Sequence, residues 1–387
     1  MEIHKDIRHT RDIMRRLLVA TPLYPPQIGG PATYTIFLEK HLSQYGYKCC
    51  VVPFVRVLRY PKILRHILYT CMIVWHARDA DMLYALDPVS VGLPVCIASF
   101  ITRKPYLLRV PGDYAWEQGQ QRFGVTQNLD EFVRDKKQSF MVRVLRWVQC
   151  FVARGARHII VPSAYLKGIV IAWGIIPERV TPIYSVLKEI NVPETKESLR
   201  KQYHFGDEII ITSAGRLVPW KGFQILIEVI ATFRQRGIPT RLYIIGDGVC
   251  RSSLEAHAHA LGVAREVVFC GALSRDEMAR YIKASDVFVL NTAYEGLSHQ
   301  LLEVMSLGTP IITTRIGGNP ELIVDGVTGK MVAYNDSDAF VACLTAYHES
   351  PQEYYAYAEE AKKSVRRFHE DIIVRNLITL LQNVWKS

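Results

Sequence analysis

Short apolar runs alternate with longer amphipathic stretches along this chain, and the same local plan occurs twice. The first copy begins with the apolar run 17–21, which predicts a strand, and continues through a loop rich in Pro and Gly. A helix follows that ends near Tyr45, with Gly46 as its left-handed stop, and a second strand comes after it. The plan restarts at residue 208 and includes a helix stopped by Gly237. Strands that alternate with helices predict an α/β fold with parallel sheets covered on both faces.

The length and the repeated plan predict two domains. A chain of 387 residues exceeds what one hydrophobic core usually supports. The polar segment 184–208 has the composition of a linker followed by a short helix, so we place the boundary near residue 190. The predicted domains are 1–190 and 191–365, and a C-terminal helix at 366–387 could cross back to the N-terminal domain. Ligands of open α/β sheets bind outside the carboxyl ends of the strands, so a site is expected in a cleft between two Rossmann-like domains.

The composition is that of a globular protein, with 49% hydrophobic and 22% charged residues. The eight cysteines include no C-x-x-C pair and lie mostly among apolar neighbours, which favours reduced, buried thiols of a cytosolic protein over disulfides or zinc ligands. The N-terminal segment is too polar for a secretory signal, and no apolar run reaches about 20 residues. The longest uncharged stretch, 88–102, is broken at Pro94 and is predicted to be a buried helix.

The positive charge is concentrated in the first half of the chain. Residues 1–190 contain 26 Lys and Arg against 14 Asp and Glu, a net +12, whereas 191–387 contain 21 against 23, a net −2. Segments 56–78 and 134–158 combine Lys and Arg with Trp, Phe, Leu and Val at roughly helical spacing, which is typical of interfacial helices. They predict a cytoplasmic protein that is peripheral on the anionic inner face of a membrane. Two ordinary helices with a basic outer face are the alternative.

The segment YEGLSHQLLEVMSLGTP carries the most specific chemistry. A strand is predicted to end just before it, so that Glu295 lies at the strand's carboxyl end and Glu303 in the second turn of the following helix. The backbone N–H groups between them form a helix N-terminus that attracts an anion, and they belong to Leu297, Ser298 and His299. Carboxylates accept hydrogen bonds from the vicinal hydroxyls of a ribose or a sugar ring. Together these features predict a nucleotide-sugar site, although each glutamate alone would fit a solvated position.

The loop GRLVPWKGF follows a predicted strand of the same domain and supplies Arg216 and Lys221 at the same edge. Two cations there can neutralise a diphosphate that leaves with extra negative charge. A pair of solvated loop residues is the alternative.

The second half, from AGRLVPWKGF through YEGLSHQLLEVMSLGTP to the final helix, resembles glycosyltransferase family 4 and has its E-x7-E spacing. The resemblance implies a retaining, metal-independent transferase of the hexosyl type with the GT-B fold, an N-terminal acceptor domain and a C-terminal donor domain. It also implies that Arg216 and Lys221 bind the donor diphosphate. By the same resemblance Glu295 contacts the transferred sugar and Glu303 holds the ribose.

The N-terminal PPQIGGPATY is similar to the glycine-rich loop of this family. There Gly29 and Gly30 would let the backbone approach the donor phosphate and the acceptor, and Gly271, in VVFCGALSRDEM, is a further donor-site candidate. The resemblance implies a UDP-, GDP- or dTDP-sugar donor, no cofactor or metal, and a glycan or lipid-linked acceptor. Synthesis of cell-envelope polysaccharide or glycolipid is the expected role.

One departure from the family concerns the segment after the fourth strand of the first domain. Many relatives carry a histidine motif there, whereas this chain reads PYLLRVPGDYAWEQ and places Arg109, Asp113 and Glu117 at that point. Asp113 is the candidate for orienting or deprotonating the acceptor hydroxyl. The alternative is that Asp113 caps the helix that follows it.

Three further signals are set aside. Asp79 and Asp81 have the D-x-D spacing of a metal site but precede a predicted buried strand, and the G-D-G at 246–248 lacks the rest of a dinucleotide loop. His299 is more often a packing residue than a catalyst. Two other classes stay open as alternatives: a nucleotide-sugar epimerase of the same fold, and a non-catalytic binder of an anionic surface or of nucleic acid. No nucleic-acid motif accompanies the basic residues, so nucleic acid is not the expected partner.

Overall fold

The computed structural model describes residues 14–27, 29–135, 137–187 and 190–386. The chain folds into two compact units. Unit 1 runs up to Tyr184 and takes in the chain again from Val374 onward, and unit 2 comprises Ser185–Ile373. In unit 1 the ring of Trp385, near the C-terminus, lies 5.4 Å from that of Tyr47.

Unit 1 is built on a six-stranded parallel sheet with strand order β2-β1-β3-β4-β5-β6. Its strands are β1 (Arg15–Thr21), β2 (Tyr47–Pro53), β3 (Met82–Ala85), β4 (Tyr106–Arg109), β5 (His158–Val161) and β6 (Val180–Pro182). Its helices are α1 (Gly30–Leu42), α2 (Lys62–Ala77), α3 (Gly92–Thr102), α4 (Tyr114–Arg122), α5 (Leu129–Arg134), α6 (Phe140–Gly155) and α7 (Ala164–Ala172). Short 3₁₀ helices lie at Ser43–Tyr45, Phe54–Val57 and Pro177–Arg179.

Unit 2 repeats the plan, with strand order β12-β11-β10-β7-β8-β9 and all pairs parallel. Its strands are β7 (Ile209–Ala214), β8 (Thr240–Ile245), β9 (Val267–Gly271), β10 (Val287–Leu290), β11 (Ile311–Thr314) and β12 (Lys330–Val332). Its helices are α8 (Lys196–Gln202), α9 (Phe223–Gln235), α10 (Arg251–Ala260), α11 (Arg275–Ala284), α12 (His299–Leu307), α13 (Ser337–Glu349) and α14 (Pro351–Ser364). Its 3₁₀ helices are Pro219–Lys221, Asn319–Glu321 and Val365–Phe368, and α15 (Glu370–Lys386) begins in unit 2 and ends in unit 1.

The central strands are buried on both faces, as strands covered by helices must be. All four residues of β3, β4, β10 and β11 are buried. The helices end where the sequence predicts a stop: Gly46 closes the turn after α1 with φ 81°, and Gly237 follows α9 with φ 70°. Glycine reaches this left-handed region without a steric penalty.

Two expectations about burial were wrong. Residues 88–102 do not form a fully buried helix: α3 buries Val95 and Ala98, whereas Phe100 is 87% and Ile101 58% exposed. Pro94 does not break it, because it lies in the first turn, where a proline removes no helical hydrogen bond. All eight cysteines are free thiols, as predicted, but Cys50 and Cys71 are exposed. No helix in the described part of the chain is long and apolar enough to cross a membrane.

Candidate functional site

The predicted donor residues lie at the carboxyl edge of the sheet in unit 2. β7 and β10 are parallel neighbours, so the loops that follow them, 215–222 and 291–298, come together. Hydrogen bonds to the backbone join these loops: Ala293 N donates to Trp220 O at 2.8 Å, and Asn291 Nδ2 donates to Gly222 O at 2.8 Å. The topology therefore fixes the two loops against each other, although 69 residues of chain separate Asn291 from Gly222.

Lys221 and Glu295, one from each loop, form an ion pair. Lys221 Nζ donates a hydrogen bond to Glu295 Oε1, and each side chain is only 16% exposed. Arg216 is on the same loop as Lys221 but is exposed, and no ion pair within the described ranges includes it. The structure thus brings two of the predicted site residues into contact and leaves a second cation on the same loop.

Glu303 is paired with Arg275, a residue that the sequence analysis missed. Arg275 Nε donates to Glu303 Oε1 at 2.7 Å, and the carboxylate side chain is 16% exposed. Arg275 is the first residue of α11 and Glu303 lies in the second turn of α12, so the pair joins two adjacent helices. The only signal in the sequence was the position of Arg275 just after β9, whose last residue is Gly271.

Helix α12 begins one residue later than the predicted anion site requires. Ser298 is its N-cap, and the Ser298 Oγ accepts from Leu301 N at 3.3 Å. The first helical N–H therefore belongs to His299, and Leu297 precedes the cap. Leu297 and Ser298 are 6% and 2% exposed. Their predicted part in donor binding stays a prediction.

Two glycines that the sequence analysis did not single out hold the backbone at Glu295. Gly318 N donates to Glu295 O at 2.9 Å, and a Cβ on Gly317 would lie 2.1 Å from the same oxygen. Gly317 also has φ 58°, which favours glycine. The segment after β11 therefore passes so close to Glu295 that only glycine fits, and it fixes the position from which the carboxylate projects.

The other predicted glycines differ in what surrounds them. Gly271 has φ 71° and accepts a hydrogen bond from Gly246 N at 2.8 Å. In unit 1, Gly29 caps α1, and a Cβ there would lie 2.7 Å from Leu23 Cδ1. Gly30, in contrast, has no heavy atom of the described residues within 4 Å of the position of a Cβ.

Asp113 is a buried helix cap. It is 1% exposed, its Oδ1 accepts from Trp116 N at 2.9 Å and from Gln149 Nε2 at 3.1 Å, and its Oδ2 accepts from Trp173 Nε1 at 3.1 Å. Burial raises the pKa of Asp113 above its ordinary value, and these hydrogen bonds offset part of that rise. The contacts support the alternative interpretation of the sequence, a helix cap. The predicted role of Asp113 on the acceptor hydroxyl stays a prediction.

Arg109 has an unusual environment for an arginine. It is the last residue of β4, it is 6% exposed, and its guanidinium carbon lies 3.6 Å from the centroid of the Tyr34 ring. Its Nη1 is buried and has no hydrogen-bond acceptor among the described residues. Glu117, the third residue noted at this point of the sequence, lies in the first turn of α4 and is partly buried.

The D-x-D pair lies before β3, as predicted. Asp81 Oδ2 accepts from Arg16 N at 2.8 Å, so this carboxylate ties the start of β3 to β1. No group of three or more metal-ligating side chains occurs within the described ranges.

Comparison with known proteins finds sequence similarity in the second unit. The sequence model of the family described as "Glycosyl transferases group 1" matches residues 195–364. The GDP-mannose-dependent alpha-(1-6)-phosphatidylinositol monomannoside mannosyltransferase of Mycolicibacterium smegmatis is 33% identical over 159 residues, 39% of this chain and 42% of that protein. The lipopolysaccharide core biosynthesis glycosyltransferase LpsE of Rhizobium meliloti is 36% identical over 138 residues, 36% of this chain and 39% of that protein. The matched part thus spans about two fifths of these relatives.

The likeness to solved structures extends over nearly the whole chain. Anabaena Alr3699/HepE in complex with UDP gives a TM-score of 0.76 at 20% identity and covers 96% of this chain and 100% of that one. The sucrose-phosphate synthase of Thermosynechococcus elongatus gives 0.77 at 16% identity, with 96% and 99% coverage. These similarities, with the two six-stranded parallel sheets, confirm the predicted GT-B fold class.

Proposed function

We propose that this chain, in which residues 195–364 form a glycosyl transferases group 1 domain, moves a sugar from a nucleoside diphosphate sugar to a hydroxyl group of a glycan or lipid-linked acceptor. The observation that carries the proposal is the Lys221–Glu295 pair with Arg216 on the same loop, at the sheet edge inside the matched domain. This arrangement offers cations for a diphosphate and a carboxylate for sugar hydroxyls. Synthesis of an envelope polysaccharide or glycolipid is the proposed role.

In this proposal the cations make the main contribution to stabilising the transition state. The bond from the anomeric carbon to the diphosphate oxygen breaks, and the diphosphate gains negative charge that Lys221 and Arg216 stabilise. A bond to the acceptor oxygen forms on the same face, which retains the configuration, and the acceptor proton passes to the departing diphosphate. Because fixed cations balance the new charge, the reaction needs no divalent metal ion.

The two glutamates have separate roles in this scheme. Glu295 accepts hydrogen bonds from the transferred sugar, and Lys221 and the backbone contact with Gly318 hold it in place. Glu303 accepts from the ribose hydroxyls, and Arg275 orients its carboxylate. Contacts of the ribose are the same in the ground state and the transition state, so they contribute to donor affinity more than to turnover.

We also propose that the enzyme is a cytoplasmic protein peripheral on an anionic membrane. α2, α3 and α6 are neighbours in unit 1, and none of them contains an Asp or a Glu. They expose large apolar side chains, among them Ile63 at 79%, Trp75 at 64%, Phe100 at 87%, Phe140 at 75% and Trp147 at 63%. Apolar side chains beside Lys and Arg suit the boundary between head groups and acyl chains.

A groove on this surface supports the same proposal. It has a volume of about 460 Å³ and is lined by Gln138, Phe140, Arg143, Val144, Arg146 and Trp147. Arg146 Nη1 donates to the carbonyl oxygen of Asp135 at 2.8 Å, which holds the guanidinium against the groove wall. A lipid-linked acceptor would reach the enzyme from this side. The mycobacterial relative is likewise named for a lipid acceptor, phosphatidylinositol monomannoside.

Turnover of labelled donors tests the proposal. UDP-glucose and GDP-mannose are the first donors to try, because one related structure holds UDP-glucose and one relative is named as GDP-mannose-dependent. We expect transfer to added acceptors or slow donor hydrolysis, undiminished by EDTA. Interconversion of the sugar without transfer would instead indicate an epimerase. Salt-sensitive binding of nucleic acid without turnover of any donor would indicate a non-catalytic binder.

A further inference from the structure

We propose that Arg109 binds an anionic group of the acceptor, a phosphate or a carboxylate, at the carboxyl edge of the sheet in unit 1. That the anion belongs to an acceptor rests on the proposed function. The anion site itself is inferred from the surroundings of Arg109. No residue of the donor site in unit 2 is involved.

The buried charge of Arg109 has no acidic partner among the described residues. A guanidinium stays protonated at any physiological pH, and a charge that is removed from water must be paired or hydrogen-bonded. Arg109 is 6% exposed, yet none of the ion pairs of the described residues includes it, and its Nη1 has no acceptor there. A stacked aromatic ring such as Tyr34 compensates only part of that cost.

Two buried carboxylates lie at the same sheet edge, and neither of them serves Arg109. Asp87 Oδ1 accepts from Val89 N and Ser90 N, both at 2.6 Å. Both oxygens of Asp113 are occupied by donors from α4, from α6 and from Trp173, the residue after α7. The protein therefore holds a cation at this edge, and the neighbouring carboxylates of Asp87 and Asp113 are hydrogen-bonded to other groups.

Two tyrosines make the guanidinium rigid. The ring of Tyr34 stacks on it, and the Tyr34 hydroxyl is hydrogen-bonded to that of Tyr84 at 3.0 Å. Tyr34 comes from α1 and Tyr84 from β3, so two elements fix the plane of the guanidinium. Arg109 is hydrogen-bonded to Tyr84, but burial raises the pKa of Tyr84 well above its ordinary value, so this hydroxyl stays neutral and does not balance the charge of Arg109. A fixed fork of N–H donors is suited to the paired oxygens of a phosphate or carboxylate.

Arg109 also lies where ligands enter folds of this class. It ends a central strand, and ligands of parallel α/β sheets bind beyond the carboxyl ends of the strands. At Gly30, one helical turn before Tyr34, none of the described residues comes within 4 Å of the position of a Cβ, which leaves room for a ligand at the start of α1. These observations together favour a ligand anion as the missing partner of Arg109.

Anion titration of the full chain tests the proposal. The probes are inorganic phosphate and glucuronate, which stand for a phosphate-bearing and an acidic-sugar acceptor, and the readout is the melting temperature. The titration is done in the Lys221→Ala background, which removes one of the two cations of the proposed donor site, and any response that remains at Arg216 is common to the parent and the variants. The variants are Arg109→Met, which removes the charge, and Arg109→Lys, which keeps the charge and loses the fork. Arg122→Met, at the exposed end of α4, is the control with the same change in net charge.

We expect at least one probe to raise the melting temperature of the parent and of Arg122→Met, and to have a smaller effect on both Arg109 variants. The more effective probe identifies the type of anion. If Arg109→Met fails to fold, Arg109→Lys still decides the outcome. Equal shifts in the parent and in the Arg109 variants would overturn the proposal, because Arg109 would then be satisfied by water and have a structural role.

Kinetics separates this inference from the proposed function. Donor hydrolysis needs no acceptor, so Arg109→Met should hydrolyse the donor as the parent enzyme does. Its KM for an anionic acceptor should rise about ten- to a hundredfold, as expected for the loss of a charge-assisted hydrogen-bond pair. An Arg109→Met variant that loses donor hydrolysis and transfer alike would contradict an acceptor-specific role. If the parent hydrolyses no donor, the proposed function fails, and the anion titration still tests Arg109.

Discussion

Arg275 donates a hydrogen bond from Nε to Glu303 Oε1 at 2.7 Å and so joins the first turn of α11 to the second turn of α12. The carboxylate is 16% exposed, and a partner on a neighbouring helix limits the rotamers that it can adopt. A hydrogen-bond acceptor that is oriented before its ligand arrives loses less entropy on binding.

The Arg275–Glu303 pair predicts coupled effects on donor affinity. Glu303→Gln should raise the KM for the donor about tenfold with little change in kcat, because ribose contacts are equal in ground and transition states. Arg275→Met should also raise the KM for the donor, since the Glu303 carboxylate is then no longer held in its orientation. The double variant should lose less donor-binding free energy than the two single variants lose in sum. Steady-state kinetics with Glu349→Gln as an exposed control checks this. A loss of turnover at saturating donor in Glu303→Gln would show that the roles of the two glutamates are reversed.

Lys221→Ala should lower kcat strongly. The variant removes a cation from the departing diphosphate, which costs on the order of 3 kcal/mol of transition-state stabilisation, a factor of roughly 150 in rate. It also leaves Glu295 without its ion-pair partner at 16% exposure. The measurement is turnover at saturating donor, with Lys201→Ala, an exposed residue of α8, as the control. Unchanged turnover in Lys221→Ala would remove this residue from the site.

Asp286 should make the stability of unit 2 sensitive to acid. Its carboxylate accepts from Lys196 Nζ at 2.8 Å, Arg200 Nη1 at 2.9 Å and Ile210 N at 2.8 Å. Burial by itself would raise the pKa of Asp286, but these partners outweigh it and hold the pKa below its ordinary value of 3.8. The native state therefore favours the ionised form, and the resulting stabilisation is complete well above pH 3.8.

We therefore expect Asp286→Asn to lower the free energy of unfolding at neutral pH by about 3 kcal/mol, because it leaves two partly buried cations without their carboxylate. The difference from the parent should shrink as the pH falls below 3.8 and vanish below the native pKa. Denaturant titrations across this range give the measurement. Asp207→Asn, an exposed acid of the same unit, serves as the control. A difference that stays constant with pH would contradict the assignment.

The exposed surface of α2, α3 and α6 should bind anionic vesicles. We expect the protein to co-sediment with vesicles that contain anionic lipid, to bind neutral ones weakly, and to detach as the salt concentration rises and screens the basic residues. Replacing both Phe140 and Trp147 by Ser should weaken binding, because these side chains are 75% and 63% exposed. Val249→Ser, at an equally exposed apolar position of unit 2, should not. Equal binding to both lipid types, or none at low salt, would favour a soluble acceptor.

Much of the fold could be read from the sequence because it depends on near neighbours in the chain. Apolar runs set the strands, and Gly46 and Gly237 end their helices because left-handed backbone favours glycine. The order of strand, loop and helix then places Glu295, Arg216 and Lys221 at one sheet edge, since parallel strands share their carboxyl ends. The local pattern of residues is therefore sufficient to name these donor-site candidates.

The tertiary structure alone decided burial and the choice of partners. The sequence left two roles open for Asp113, an acid at the acceptor hydroxyl and a helix cap, and only the structure shows that Gln149 and Trp173, 36 and 60 residues away, donate hydrogen bonds to it. Phe100 looked like a core residue, yet it points outward, because periodicity predicts a face of a helix and not what covers that face.

The same holds for the contacts within the sites. The pairs Lys221–Glu295 and Arg275–Glu303 join residues that are 74 and 28 positions apart. Arg109 became a candidate only when the structure showed it buried, outside every ion pair of the described residues and with no acceptor there for its Nη1. Such contacts arise from the packing of segments that are distant in the sequence, so they cannot be predicted from the local pattern of residues.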